Sequence, residues 1–140
     1  MATRACDVMT GGVECVSETE SVADAARKLA DLNVGSMPIC GDDDRLKDMP
    51  TDRDIVVHVV AQGRDPAATR VGELAQGPPV TIAAGASIEE AMEVMIAHKV
   101  RRLPIMEGDE LVGMISQADI ARHLSDASTG RLVEAISLAP

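Results

Sequence analysis

A chain of 140 residues has the length of one domain, and its net charge of -10 argues against nucleic acid or an anionic membrane as partner, since both call for a basic surface. It contains no Phe, Trp or Tyr, so base stacking is unavailable and the core must be built from Val, Ile, Leu, Ala and 8 Met. No apolar run approaches the length of a membrane span and the N-terminus lacks the apolar stretch of a signal peptide, so the expected location is the cytoplasm.

In chain order, Cys6-Asp7-Val8-Met9 predicts a short helical turn broken by Gly11-Gly12, and Val13 to Val16 a short strand. Ser21 is a good N-cap with Asp24 three residues on, and Val22, Ala25, Ala26, Leu29 and Leu32 fall on one face of the helix that follows. Val34-Gly35 ends it. Met37 to Cys40 reads as a second strand, Gly41 to Asp44 as a polar turn, and Leu46 to Pro50 as a third strand. Thr51 then caps a helix with Ile55, Val56, Val59 and Val60 expected inside, and Gly63 to Pro66 is a linker.

The same script runs again. Val71 to Leu74 is a short turn, Val80 to Ile82 a strand, and Ser87 with Glu90 opens a helix to His98. Leu103 to Met106 and Leu111 to Ile115 are strands around a turn at Glu107 to Glu110, and Ser116 caps the next helix. Thr129 to Leu138 suggests a final helix with Leu132, Val133 and Ile136 on one side. A constant shift of 66 residues takes Ser21 to Ser87 and Pro38 to Pro104, and a shift of 65 takes Thr51 to Ser116 and Asp54 to Asp119. The expected division is repeat one at 1–66, repeat two at 67–126 and a helical tail at 127–140. Each repeat alone would bury too little surface for comfort, so one module of two halves is expected. Strand, helix, strand implies a right-handed parallel crossover, and the two following strands a hairpin.

The duplicated order, Pro in the second strand and [ST]-x-x-D opening the last helix resemble the CBS-domain pair, or Bateman module. The likeness is carried by Asp7-x-Met9-Thr10, Met37-Pro38-Ile39, Thr51-Asp52-Arg53-Asp54-Ile55, Arg101-Arg102-Leu103-Pro104-Ile105 and Leu111-Val112-Gly113-Met114-Ile115-Ser116. It covers nearly the whole chain, which is similar to the stand-alone actinobacterial hypoxic-response proteins of this type. The resemblance implies an α/β (α+β) fold of two tandem β-α-β-β-α repeats packed as a pseudo-symmetric pair. It implies a homodimer through helices. It also implies a non-catalytic sensor or regulator that takes AMP, ADP, ATP or S-adenosylmethionine in the cleft between repeats, needs no cofactor and acts on an unidentified protein partner.

The resemblance assigns ligand contact to Ser116 and Asp119 in repeat two and to Thr51 and Asp54 in repeat one. A carboxylate suits a ribose diol, and free N–H groups at a helix start suit phosphate. Arg53, Arg101 and Arg102 are the candidate phosphate partners, because guanidinium matches phosphate oxygens. Ile82 and Leu103 in repeat two, and Cys15 and Met37 in repeat one, are the expected adenine walls. Repeat two carries the full motif, whereas repeat one has Asp48 at the Gly113 position and Pro50 at the Ile115 position. Pro50 cannot donate to a strand ladder, and Asp48 would repel an anion if it lined the site, so two unequal sites are expected. [ST]-x-x-[DE] is also simply a capping box, and it occurs here four times.

The other chemistry is sparse. Cys6, Cys15 and Cys40 show no metal-ligand spacing; they are either small packed thiols, or Cys15 and Cys40 form a bridge within or between chains. His58, His98 and His123 form no i, i+4 pair, no nucleophile elbow or Walker loop occurs, and Asp42-Asp43-Asp44 reads as a solvated hairpin tip. Neither an enzyme nor a metal site is expected. The competing reading is a ligand-free stress-response scaffold, redox-sensitive through Cys15 and Cys40.

Overall fold

A computed structural model describes residues 3–11, 13–77, 79–124 and 126–137; Gly12 and Leu138, named above, lie outside them. The chain forms two compact units, Glu14–Pro79 and Met1–Val13 with Val80–Pro140. The spatial partition thus differs from the sequence repeat. The segment leading into repeat one folds with repeat two, and the segment leading into repeat two folds with repeat one.

The unit Glu14–Pro79 is built on a sheet of β2 (Val16–Ser17), β3 (Ile39–Cys40) and β4 (Leu46–Asp48), in that order. β2 and β3 are parallel and joined through α2 (Val22–Leu32), whereas β3 and β4 form the antiparallel hairpin. The Ser21 hydroxyl accepts the Asp24 N–H at 3.1 Å and starts α2. Asn33 ends it at φ 54°, the left-handed cap conformation that Asn tolerates. Val16, Val22, Leu29, Met37, Ile39, Val59, Val71 and Leu74 make the core. Cys15 and Cys40 are joined by a disulfide, with their Cα atoms 5.6 Å apart.

The other unit has a mixed four-stranded sheet in the order β1 (Thr10–Gly11), β7 (Glu110–Ser116), β6 (Arg102–Glu107), β5 (Ile82–Ala83). α4 (Ile88–His98) crosses from β5 to its parallel neighbour β6, and Lys99 at φ 55° ends α4 as Asn33 ends α2. The leading segment enters through α1 (Ala5–Val8). Ala5 is fully buried and donates its N–H to the Ala86 carbonyl at 2.7 Å. β1 then pairs antiparallel with β7, Gly11 opposite Gly113. α6 (Asp126–Ser137) packs on α4 and on α5 (Gln117–Ala121), burying Leu132 and Ile136.

Several expectations need correction. β2 starts at Val16 instead of Val13, β3 at Ile39 instead of Met37, β4 stops at Asp48 before Pro50, and α6 starts at Asp126. Pro50 has no N–H for the ladder, which is why β4 ends short. Val56 and Val60 point outward, 56% and 58% exposed, while Val59 is buried. The helix α3 (Asp52–Ile55) passes into a π-helical stretch at Val56–Val60, closed by Ala61 N–H to the Val56 carbonyl at 2.8 Å. A wider turn rotates successive side chains off the 3.6-residue period, so Ile55 and Val59 keep to the core while Val56 and Val60 leave it. Leu32 and Val133 are likewise exposed, at the end of α2 and off the buried stripe of α6.

Candidate ligand-binding site

The four [ST]-x-x-[DE] sequences divide by geometry. At Ser21 and Ser87 the hydroxyl caps the helix, and no carboxylate returns to the cap; Asp24 instead pairs with Arg27. At Thr51 and Ser116 the box is reciprocal. Asp54 Oδ2 accepts the Thr51 N–H at 2.8 Å and hydroxyl at 3.3 Å, and Thr51 Oγ1 accepts the Asp54 N–H at 3.3 Å. Asp119 Oδ2 accepts the Ser116 N–H at 2.8 Å and hydroxyl at 3.0 Å, and Ser116 Oγ accepts the Asp119 N–H at 3.2 Å. In each box one carboxylate oxygen is spent on the cap. Among the described residues the second oxygen of Asp119 meets the Arg122 guanidinium at 3.4 Å, an exposed side chain against a mostly covered one, and such a pair holds weakly.

α3 runs on into the π-helical stretch Val56–Val60, but α5 has only five residues, so its dipole contributes little to anion binding. Charge on side chains must carry it. In a strongly acidic protein most cations are taken up by carboxylates: Arg27 by Asp24, Lys28 by Glu20, Arg64 by Glu73. Arg53, Arg101 and Arg102 have no such partner among the described residues and are exposed. Arg102 lies opposite Ser116 in the β6–β7 ladder, and the Arg101 carbonyl accepts the Gln117 N–H at 2.9 Å. The backbone at the first turn of α5 therefore lies against that of Arg101 and Arg102, whose exposed side chains have no carboxylate partner among the described residues. The matching backbone contacts in repeat one come from Gly35 and Ser36: Asp52 N–H donates to the Gly35 carbonyl at 2.9 Å, and Ser36 bridges to Thr51. Neither residue carries a charge.

The remaining expected residues are dispersed. Leu103 is fully buried against Ile115, and Ile82 is 9% exposed, both inside the repeat-two core. Met37 borders a small apolar pocket beside Thr51, and the Cys15 sulfur is bonded to Cys40. Asp48, expected to repel anions, has its carboxylate engaged. Oδ1 accepts the Met49 N–H at 2.7 Å and Oδ2 the Gln76 N–H at 2.9 Å. Gln76 went unrecognised in the sequence, although the 66-residue shift that maps Thr10 onto it was the available signal. Among the described residues no three His, Cys, Asp or Glu side chains gather as metal ligands, and no helix is long and apolar enough to cross a membrane.

Comparison with known proteins agrees with this architecture. The CBS domain model matches residues 5–61 and 71–126. Hypoxic response protein 1 of Mycobacterium tuberculosis is 46% identical over 134 residues, spanning 96% of this chain and 94% of that one. A crystal structure of Hypoxic Response Protein I with two coordinated zinc ions superposes with a TM-score of 0.81 at 48% identity, over 88% of this chain and all of the other. CBSX2 in complex with AMP shares the fold at 22% identity, with a TM-score of 0.74 over 86% of this chain and 94% of that one. With two matches of the domain model over most of its length, and a relative of this identity and coverage, the chain belongs to the CBS-domain family as a tandem pair of the hypoxic-response type.

Proposed function

We propose that the chain is a non-catalytic regulatory module that binds an adenosine-containing ligand at the start of α5. The observation that carries this reading is that Arg101 and Arg102, exposed and without a carboxylate partner among the described residues, run along the reciprocal Ser116–Asp119 box in the backbone ladder. One oxygen of Asp119 stays available to a ribose hydroxyl once Arg122 swings away, and the arginines meet the phosphates. That a protein of this fold holds AMP supports the ligand class. Repeat one offers Thr51, Asp54 and Arg53 with neutral residues at the two arginine positions, and is the weaker site. The module works as a homodimer through its helices, and bound ligand changes partner affinity only by its own preference between conformations.

Titration calorimetry with AMP, ADP, ATP and S-adenosylmethionine tests this. Saturable heat for at least one, reduced tenfold or more by Asp119→Ala and by Arg102→Ala, is the expected result. Absence of heat and of thermal stabilisation at millimolar ligand overturns it. The Cys15–Cys40 bond favours a second reading, a ligand-free redox-sensitive stress scaffold. A pull-down whose catch changes with reductant, and ignores both nucleotide and Asp119→Ala, selects that one.

A further inference from the structure

The two leading segments are copies of each other that are fastened differently. A shift of 66 takes Arg4 to Arg70, Asp7 to Glu73 and Thr10 to Gln76. Both begin with the same local device. The Asp7 carboxylate accepts the Arg4 N–H at 2.9 Å, and the Glu73 carboxylate accepts the Arg70 N–H at 2.8 Å. Both then bury apolar residues, Ala5 in one and Val71 with Leu74 in the other. At their far ends they diverge. Thr10–Gly11 joins the sheet by backbone pairing with Met114 and Gly113. The Gln76 N–H instead bonds to a side chain, Oδ2 of Asp48, and its amide nitrogen approaches His58 Nε2 at 3.4 Å.

Asp48 is the repeat-one counterpart of Gly113, and the exchange follows from that geometry. A Cβ at Gly113 would sit 2.8 Å from the Thr10 carbonyl, so backbone pairing requires glycine. In repeat one the Met49 N–H is taken by Asp48 Oδ1, and Pro50 has no N–H, so a ladder at this edge is replaced by one carboxylate. The segment held this way roofs a pocket. Val71 and Leu74 line it with Met37, Pro50, Thr51 and Ile55, and its interior, open on one side, has room for about 20 Å³, space for one water.

We infer that Asp48 is a positioning residue that clasps the 70–77 segment over repeat one, keeping the pocket beside Thr51 narrow and confining the ligand to repeat two. The occupancy clause rests on the proposed function; the clasp does not. Two variants separate the roles. Asp48→Gly installs what repeat two has, and Asp48→Asn keeps a carbonyl acceptor for the Gln76 N–H. Asp48→Ala replaces the glycine variant if the added backbone freedom unfolds β4. Amide hydrogen exchange is read at Gln76 and ADP stoichiometry by calorimetry, both on the full chain. Exchange at Gln76 rises at least tenfold in Asp48→Gly and stays within threefold of wild type in Asp48→Asn. Stoichiometry rises from one ADP per chain in wild type and Asp48→Asn to two in Asp48→Gly. Unchanged exchange in Asp48→Gly, or a rise equally large in Asp48→Asn, overturns the clasp. Faster exchange with one ADP still bound overturns the confinement to repeat two. A wild type that takes up no ADP, AMP, ATP or S-adenosylmethionine overturns the proposed function, while the exchange result still decides the clasp.

Discussion

Gly113→Ala isolates the docking of the leading segment on β7. The added Cβ would lie 2.5 Å from Met9 Sδ, 3.1 Å from Met9 Cγ and 2.8 Å from the Thr10 carbonyl oxygen. Met9 is a flexible side chain and can turn aside. The Thr10 oxygen is backbone, fixed by pairing opposite Met114, so β1 itself must retreat by several tenths of an ångström. Overpacking of this kind costs about 1–3 kcal/mol. For a domain of this size that lowers the melting temperature by roughly 3–10 °C. The matched control is Gly11→Ala, directly across the ladder. Its Cβ would meet nothing closer than the Val112 carbonyl at 4.0 Å, and its φ is not in the left-handed region, so the expected change is within about 0.5 kcal/mol. Urea unfolding of both variants checks the pair. Equal stability of Gly113→Ala and wild type, or equal loss in the two variants, refutes the argument that this strand's fit depends on one missing methyl.

Three further outcomes are expected. The Cys15–Cys40 bond closes a separation of 25 residues, worth about 3 kcal/mol by loop-closure entropy, so Cys15→Ser should melt lower than oxidised wild type and level with wild type in reductant; a reductant-insensitive melting point contradicts this. Glu73 is held below its ordinary value of 4.5 by the Arg70 N–H first and by the Arg64 charge second. Its folded form is thus the more acidic one. The stability it adds is full above about pH 4.5 and is lost as pH falls through the depressed value, so Glu73→Gln should flatten the acid limb of a stability–pH curve and leave the neutral pH dependence alone. Val56 and Val60 are exposed aliphatics on one of the helices open to the proposed homodimer, so if this helix is used, Val56→Asp with Val60→Asp should turn a dimer into a folded monomer by sedimentation velocity; dimers that survive the double change place the interface elsewhere.

The repeat made the strand and helix order legible, because local rules repeat with it. Ser21 and Ser87 look like N-caps and act as N-caps; Thr51 and Ser116 do too, each with a carboxylate that returns. Val59 is buried as expected, but Val56 and Val60 are exposed for a reason the sequence does not display: the π-helical turn changes the angular period within five residues. β1 was invisible because a two-residue strand has no period at all. Residue types and spacing gave the capping boxes at Thr51–Asp54 and Ser116–Asp119, and only the family resemblance attaches a ligand to them. The duty of Asp48 was hidden because its partner is a backbone N–H 28 residues away, and a backbone donor has no letter in the sequence.

The traded leading segments also impose an order of assembly. Glu14–Pro79 is one uninterrupted stretch, so its contacts can all form once its own residues have left the ribosome. The other unit is split, and Thr10 and Gly11 have no ladder partner until Met114 and Gly113 are made. Thr10 and Gly11, though made before that stretch, are therefore seated in their ladder after it is complete, and they wait as a loose end while the whole of the intervening unit condenses. A cut at the sequence boundary of the repeats would strand both leaders on the wrong fragment. Two such fragments mixed together would rebuild both units by exchanging leaders, and the duplicated chain makes that same exchange within one molecule.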